Sequence, residues 1–316
     1  MKTNVQTTKN TPWNITKVGH NTWRGSFSSM ASPCEILINC TRRQHAESLV
    51  ECAYREAKRI ESKFSRYQED NIIFRINNSQ GEWVSLDTET TEILKFADQL
   101  FQVSEGLFDI SSGVLRRIWN FQTHSSIPTQ GMIDNMLPLI GWDKITFDSD
   151  NQRILLPMGM EIDLGGIGKE YAVDLTLKKI QQMSDSLGIA HGSYLVNFGG
   201  DIVCSHKTKD KNKQSESPWV IGIETIDSLK TAPAIELVAG GLATSGDSRR
   251  HIDHEDKRYS HIVNPKTGWP IEHAPHSVTV IANTCLEAGM LATLASLQGR
   301  DCENMLIDSN TCYWIQ

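Results

Sequence analysis

The stretch IDLGGIGKEYAVDLTLKKIQQMSDSLGIAHGSYLVNFGGD, Ile162–Asp201, decides how the fold is read. Three glycines, Gly165, Gly166 and Gly168, bend the chain into a helix that the pattern carries to about residue 184. Tyr194–Phe198 then reads as a buried strand ending at the turn Gly199-Gly200-Asp201. The glycine turn lacks Walker A spacing, has no Ser or Thr after Lys169, and does not match G-x-G-x-x-G.

Working outward, the chain does not keep a strict strand–helix–strand rhythm. A strand is expected at 34–40. Residues 43–66 place Ala46, Leu49, Val50, Ala53, Ala57, Ile60 and Phe64 at three- and four-residue spacing, the stripe of an amphipathic helix. A second helix is expected at 89–104, closed by Ser104-Glu105-Gly106. Strand-like runs KITF and RILL within 143–157 flank a polar turn. Further strands are expected at 219–224, 234–238, 259–263 and 277–282, and a helix at 285–298. The C-terminal strands are hairpin-like neighbours, which favours an α+β fold of mixed or antiparallel sheets flanked by helices over a doubly wound sheet. Residues 1–25 read as a flexible N-terminal arm and 26–316 as one domain, with a polar loop at Lys207–Ser217.

Composition narrows the function. The chain has 316 residues, and 31 Lys and Arg against 38 Asp and Glu give a net charge of −7, so nothing draws the chain as a whole to nucleic acid. No run approaches the roughly 20 apolar residues that span a bilayer, so an integral membrane protein is not expected. The first twenty residues, MKTNVQTTKNTPWNITKVGH, contain no apolar core of a secretory or lipoprotein signal. Seven scattered cysteines without a C-x-x-C pair read as reduced thiols, and a cytoplasmic setting is expected.

Five segments could carry chemistry. Asp163–Lys169 offers backbone N–H groups, a helix N-terminus and an ammonium to a phosphate, although a tight turn with an exposed lysine reads equally well. Asn197–Asp201 suits close ligand approach or a simple turn. Ala243-Thr244-Ser245-Gly246-Asp247-Ser248-Arg249-Arg250 offers hydroxyls and guanidinium groups to an anion, or forms a solvated turn. His261, ahead of Asn264-Pro265-Lys266-Thr267-Gly268, suits a general base near neutral pH. Tyr67, just past a helix end, could stack on an aromatic ligand or pack as an ordinary half-buried ring. His251-x-x-His254 sits among acids in a loop, and a hydrated loop is a better reading than a zinc site.

Taken in order, these segments resemble the ApbE family of FAD:protein FMN transferases. The likeness runs through Met30-Ala-Ser-Pro-Cys-Glu35, Phe64–Tyr67, Gly106-Leu-Phe-Asp-Ile-Ser111, Asp163–Lys169, Asn197–Asp201, Ala243–Asp247, His261–Gly268 and Thr293. The resemblance implies a two-lobed α+β fold with FAD in its cleft. It also implies transfer of the FMN half of FAD to a Ser or Thr hydroxyl of an acceptor flavoprotein, with release of AMP and help from Mg²⁺. It assigns the base to His261. It assigns FAD contacts to Met30, Tyr67, Phe108, Asp109, Gly165, Gly166, Lys169, Asp201, Thr244, Ser245, Gly246 and His261. Gly168 and Thr293 fall at metal positions. A non-catalytic FAD-binding protein and an FAD pyrophosphatase are the alternatives.

Three departures stand out. The family's last helix carries Asp four residues before the Thr, where this chain has Gly289. Glu287 is the nearest carboxylate, but it lies about 200° around an ideal helix, so it can act as the metal ligand only if that segment is loop. Glu170 stands where Gly is usual, and Asn264 where Asp is common. On this reading Gly289→Asp is expected to raise Mg²⁺ affinity.

Overall fold

The computed structural model describes residues 11–121, 126–189, 192–207, 218–225, 233–247, 250–255 and 257–316. The strands are β1 (Asn14–Lys17), β2 (Thr22–Ser29), β3 (Ser32–Asn39), β4 (Trp83–Ser85), β5 (Thr146–Asp148), β6 (Arg153–Leu155), β7 (Gly192–Phe198), β8 (Asp201–Lys207), β9 (Trp219–Gly222), β10 (Ala234–Leu237), β11 (Gly240–Gly246), β12 (His251–His254), β13 (Lys257–Ser260), β14 (Ser277–Ala282) and β15 (Cys312–Ile315). The helices are α1 (Arg43–Phe64), α2 (Ile72–Asn77), α3 (Thr88–Val103), α4 (Gln130–Met136), α5 (Gly168–Ser186), α6 (Cys285–Leu297) and α7 (Cys302–Ser309).

Eight strands form one sheet in the order β1-β2-β3-β7-β8-β11-β14-β15, and every neighbouring pair is antiparallel. Both faces are covered. Tyr194, Val196 and Phe198 of β7 join the core shared with α1 and α5, while Leu195 packs on the other face with Ile221 and Leu237 of the β9–β10 hairpin. Alternation of side chains along β7 thus feeds two cores from one strand. Helix α1 buries the stripe its spacing announces, Ala46 through Phe64. Its outer face is laced to α3 by Arg59 with Glu89 and by Lys63 with Asp87 and Glu89.

A smaller lobe grows from the β12–β13 hairpin and the 3-10 segment Ile110–Arg117. Its core is Val114, Leu115, Trp119, Ile133, Ile140 and Ile252, with Tyr259 and Trp269 against Trp119.

Two expectations change. Part of the N-terminal arm is sheet: β1 pairs with β2 in register Asn14↔Ser26, and Trp23 is buried with its indole N–H donating to the Cys40 carbonyl. Residues 1–10 lie outside the described residues. The segment Gly240–Gly246 is a strand held between β8 and β14, not a turn. Its glycines and small residues have low intrinsic strand preference, which ladders on both sides override. Ser248 and Arg249 lie outside the described residues, as do positions 208–217 of the polar loop.

All seven cysteines are free. Burial pushes the Cys204 thiol up to about 12 and Cys34 to about 11, so both behave as small apolar groups. Among the described residues no helix is long and apolar enough to cross a membrane.

Candidate active site

The sheet delivers two turns to one place. The β2–β3 turn is Met30-Ala31, and both residues hold positive φ, 50° and 54°, without being glycine. Such a turn is strained for side-chain-bearing residues and persists because its surroundings hold it. Here Glu61 on α1 does so, accepting 2.6 Å from the Met30 N–H and 3.1 Å from the Ser29 hydroxyl, with Lys58 alongside. The β7–β8 turn is Gly199-Gly200, at φ 66° and 106°. The Gly199 N–H donates to the Pro33 carbonyl at 3.0 Å, which locks the two turns together.

Lys169, in the first turn of α5, reaches this junction. Its Nζ lies 2.7 Å from Oδ2 of Asp201, which is 4% exposed. The Thr244 N–H of β11 also donates to Asp201. Burial works against the Lys169 charge, but Asp201 outweighs it and holds the ammonium pKa above its ordinary value. The result is a preformed cation beside glycine-lined backbone, with hydrogens of the ammonium left for an anion.

The turn before α5 is organised by Asp163, which accepts from the Gly165 N–H at 3.0 Å and pairs with Arg66 at 2.5 Å. Arg66 also donates to the Tyr67 hydroxyl at 2.7 Å and stacks over its ring. Tyr67 is 79% exposed, an unburied aromatic face at the mouth of this turn. Gly165 and Gly166 are exposed, and a methyl group at position 166 would come within 3.1 Å of Phe108. Asp109, expected to face the ligand, instead turns inward. It accepts from the Ser111 N–H and hydroxyl and from the Trp142 N–H, and so builds the loop behind Phe108.

His261 belongs to the smaller lobe. Its Nδ1 is 3.1 Å from the Arg250 carbonyl, which can only accept, so Nδ1 carries the proton and Nε2 presents its lone pair. The Phe121 ring stands edge-on 6.4 Å away. Burial first, and the Arg250 charge second, hold its pKa below 6.5. Neutral imidazole is therefore the resting form at pH 7. The turn after it is fastened by the Trp119 indole N–H to the Gly268 carbonyl at 2.8 Å. Thr244 is exposed and shares a 2.8 Å hydroxyl contact with Thr279, while Ser245 and Gly246 end β11 beside it. His251 and His254 lie on β12, where His251 Nδ1 faces the Asp247 carbonyl, and no three metal-ligating side chains cluster among the described residues.

Glu287 is not placed to hold a metal. Helix α6 starts at Cys285, and Glu287 sits in its first turn with its carboxylate accepting from the Asn283 N–H, while Thr284 accepts from the Glu287 N–H. Thr284 thus caps α6 while Glu287 reaches one residue further back, to Asn283, a variant of the capping box that a Thr-x-x-Glu pattern announces. Asp174 of α5 adds two more bonds, from the N–H groups of Cys285 and Leu286 at 2.9 Å each. One turn into α6, buried Gly289 faces Glu170: a methyl group there would stand 2.6 Å from Glu170 Cγ. Glu170 Oε2 is shut off from solvent and has no hydrogen-bond partner. Thr293 lies one turn further, half-buried on the same face as Gly289.

Residues 30–313 match the model of the ApbE family. The chain belongs to the ApbE family. An FAD:protein FMN transferase of Haemophilus influenzae is 31% identical over 256 residues, 77% of this chain and 70% of that protein. One from Vibrio cholerae is 30% identical over 248 residues, 77% of this chain and 71% of that protein. The solved ApbE protein of Thermotoga maritima superimposes with a TM-score of 0.81 at 28% identity, covering 93% of this chain and 94% of that one. The flavin transferase ApbE from Vibrio cholerae gives 0.75 at 26% identity, covering 92% of each chain.

Two residues of this ApbE cleft escape a reading by sequence. Glu61 lies on the polar side of α1, where it looks like any solvated acid, yet it holds the strained turn at Met30. Arg66 stands beside Tyr67 in a noted segment, but its partner Asp163 is 97 residues away in sequence. A tight non-glycine turn needing a nearby acceptor, and an Arg next to an exposed Tyr, are the signals that could have found them.

Proposed function

We infer that this chain is an FAD:protein FMN transferase. The observation that carries this reading is the junction of Met30-Ala31, Gly199-Gly200 and the Lys169–Asp201 pair within an ApbE fold. It is a cation and glycine-exposed backbone placed for a diphosphate.

In this reading the FAD pyrophosphate lies at that junction, between Gly199-Gly200 and the exposed Gly165-Gly166 turn, with Lys169 offsetting its charge. Tyr67, Met30 and Phe108 face the flavin, and Thr244, Ser245 and Gly246 line the cleft beside Asp201. The acceptor is a Thr or Ser hydroxyl of a target flavoprotein. Its proton passes to His261 Nε2 as its oxygen bonds to the FMN phosphorus. The bond from that phosphorus to the bridging oxygen breaks, and AMP leaves with that oxygen. A neutral alcohol attacking a doubly charged diphosphate needs positioning and charge neutralisation above all. The Nδ1 bond to Arg250 keeps the imidazole in the tautomer this role requires.

Mg²⁺ fits the donors present. Mg²⁺ takes one or two carboxylates plus substrate phosphates, not a dense cage of protein ligands. An orphaned carboxylate oxygen in the first turn of α5, Glu170 Oε2, with Thr293 on the α6 face that meets Glu170 at Gly289, suits that demand. When bound, the ion supplies further charge neutralisation at the phosphates. Seven unpaired cysteines support a cytoplasmic setting.

The test is incubation with FAD, Mg²⁺ and a Thr-bearing acceptor protein. A fluorescent flavin band that survives denaturation, absent when the acceptor Thr is replaced by Ala, is expected. Free FMN without any adduct would instead establish hydrolysis.

A further inference from the structure

Glu170 and Gly289 depart from the family pattern separately in sequence, but they touch in space. Glu170 Cγ lies 2.6 Å, and its Oε1 3.0 Å, from the point where a Cβ on residue 289 would stand. The carboxylate arriving from α5 thus fills the volume that a side chain from α6 would fill. Contacts at residues 170 and 289, and at 174 and 285, show the two helices passing each other in opposite directions. Glu170 therefore projects toward the α6 face that also carries Thr293.

Beyond its own backbone N–H, its surroundings lack a partner for it. Asp201, Lys169 and Asp174 are the charged groups acting on Glu170. The Lys169 ammonium is paired to Asp201, and Asp174 is bonded to the start of α6. Asp201 and Glu170 share the one ammonium, Asp174 adds a further negative charge acting on Glu170, and Glu170 Oε2 has no hydrogen-bond partner. An ionised carboxylate stranded in this way is costly. A hard divalent cation would satisfy the orphaned oxygen and balance the excess of negative charge together.

We propose that Glu170 supplies the carboxylate ligand of a divalent cation at the cleft, entering from α5 into the space left open by Gly289, with the Thr293 hydroxyl as a neighbouring donor. This rests on the flavin-transfer reading for the cation's role at the FAD phosphates, while the ligand assignment stands on its own geometry. It also reverses one expectation. Gly289→Asp alone would push a second carboxylate against Glu170, so it should lower cation affinity and stability instead of raising affinity. The change becomes compatible only when Glu170 is removed.

Calorimetric titration of Mn²⁺ into the full chain, alone and with saturating FAD, tests the assignment. Glu170→Gln should weaken Mn²⁺ by about tenfold or more, and Glu170→Gly likewise. The swap Glu170→Gly/Gly289→Asp should bring affinity back to within about threefold of the parent, a strong non-additivity between touching residues. Circular dichroism checks that each variant is folded, and the swap keeps the test decisive if one single variant is not. Equal Mn²⁺ affinity in the parent and E170Q, or a folded swap no tighter than E170G, overturns the proposal. FAD binding is followed separately by flavin fluorescence without metal. Normal FAD binding with unaltered Mn²⁺ affinity in E170Q removes the ligand and leaves the flavin reading. No FAD binding, with Mn²⁺ affinity still lost in E170Q, does the reverse.

Discussion

The two sides of the cleft are built by opposite means. On the sheet side, the Lys169–Asp201 pair and the two turns are fixed by long-range ladders of the eight-stranded sheet and by helices packed on it. There the Lys169–Asp201 pair is compensated inside the protein, with the orphaned Glu170 carboxylate beside it. On the other side, His261 stands on a small lobe of short strands around Trp119, held by a carbonyl contact, with its Nε2 unpartnered among the described residues. The first side is suited to gripping an anion that does not change. The second is suited to a group that must accept and release a proton. Substitutions should therefore separate binding and stability from rate.

The largest separation is expected at His261. His261→Ala should lower transfer by the roughly 10²–10⁴ of a lost general base, with FAD affinity nearly unchanged. Single-turnover transfer assays beside FAD titrations check this, and a full transfer rate would make His261 structural. Because its pKa is held below 6.5, transfer in the wild type should rise with pH through that lowered value and level off by neutrality. A rate still climbing above pH 7 would point to a different base.

Lys169→Ala attacks the other side. It leaves Asp201 buried without its partner, which should cost about 3–5 kcal/mol of stability and greatly weaken FAD. Thermal unfolding and calorimetry measure both. If FAD affinity falls while stability is untouched, Asp201 is not paired as described.

A third substitution lies behind the sheet side and should leave the cleft alone. Glu89 is held down to about 2 by Arg59 and then Lys63. The stability this gives is present above the unfolded carboxylate value of 4.5 and is lost as pH falls toward 2. Allowing for partial exposure, Glu89→Gln should cost on the order of 2 kcal/mol at pH 7 and nothing near pH 2. Denaturant titrations at both pH values check the sign, with FAD affinity unchanged. The smallest effect is expected at Tyr67, which is already exposed. Tyr67→Ala should weaken FAD by about 1 kcal/mol of ring stacking with no loss of unfolding midpoint, read by fluorescence titration and thermal melts.

Legibility in the sequence follows the range of the interactions. Helices α1 and α3 are evident because apolar spacing along one segment records which face is buried, whereas α6 is apolar nearly all round and carries no such stripe. The glycine turn at 199–200 is evident because few residues tolerate its positive φ, whereas Gly165, Gly166 and Gly168 keep ordinary backbones and are evident only as a glycine-rich helix start. Strand β11 is hidden, since GGLATSG has the composition of a turn and becomes strand only through partners on both sides. Asp109 carries the right type of group but spends it on Ser111 and Trp142. Glu287 is likewise spent on capping α6. Glu170 is visible only as an oddity until the fold sets it against Gly289.

The cleft's grip on a pyrophosphate is tested most directly by calorimetry of the metal-free chain with FAD and with riboflavin. FAD should bind about tenfold or more tighter than riboflavin, the worth of at least one charge-assisted bond to phosphate. Equal affinity for the two, or no heat with FAD, would contradict it.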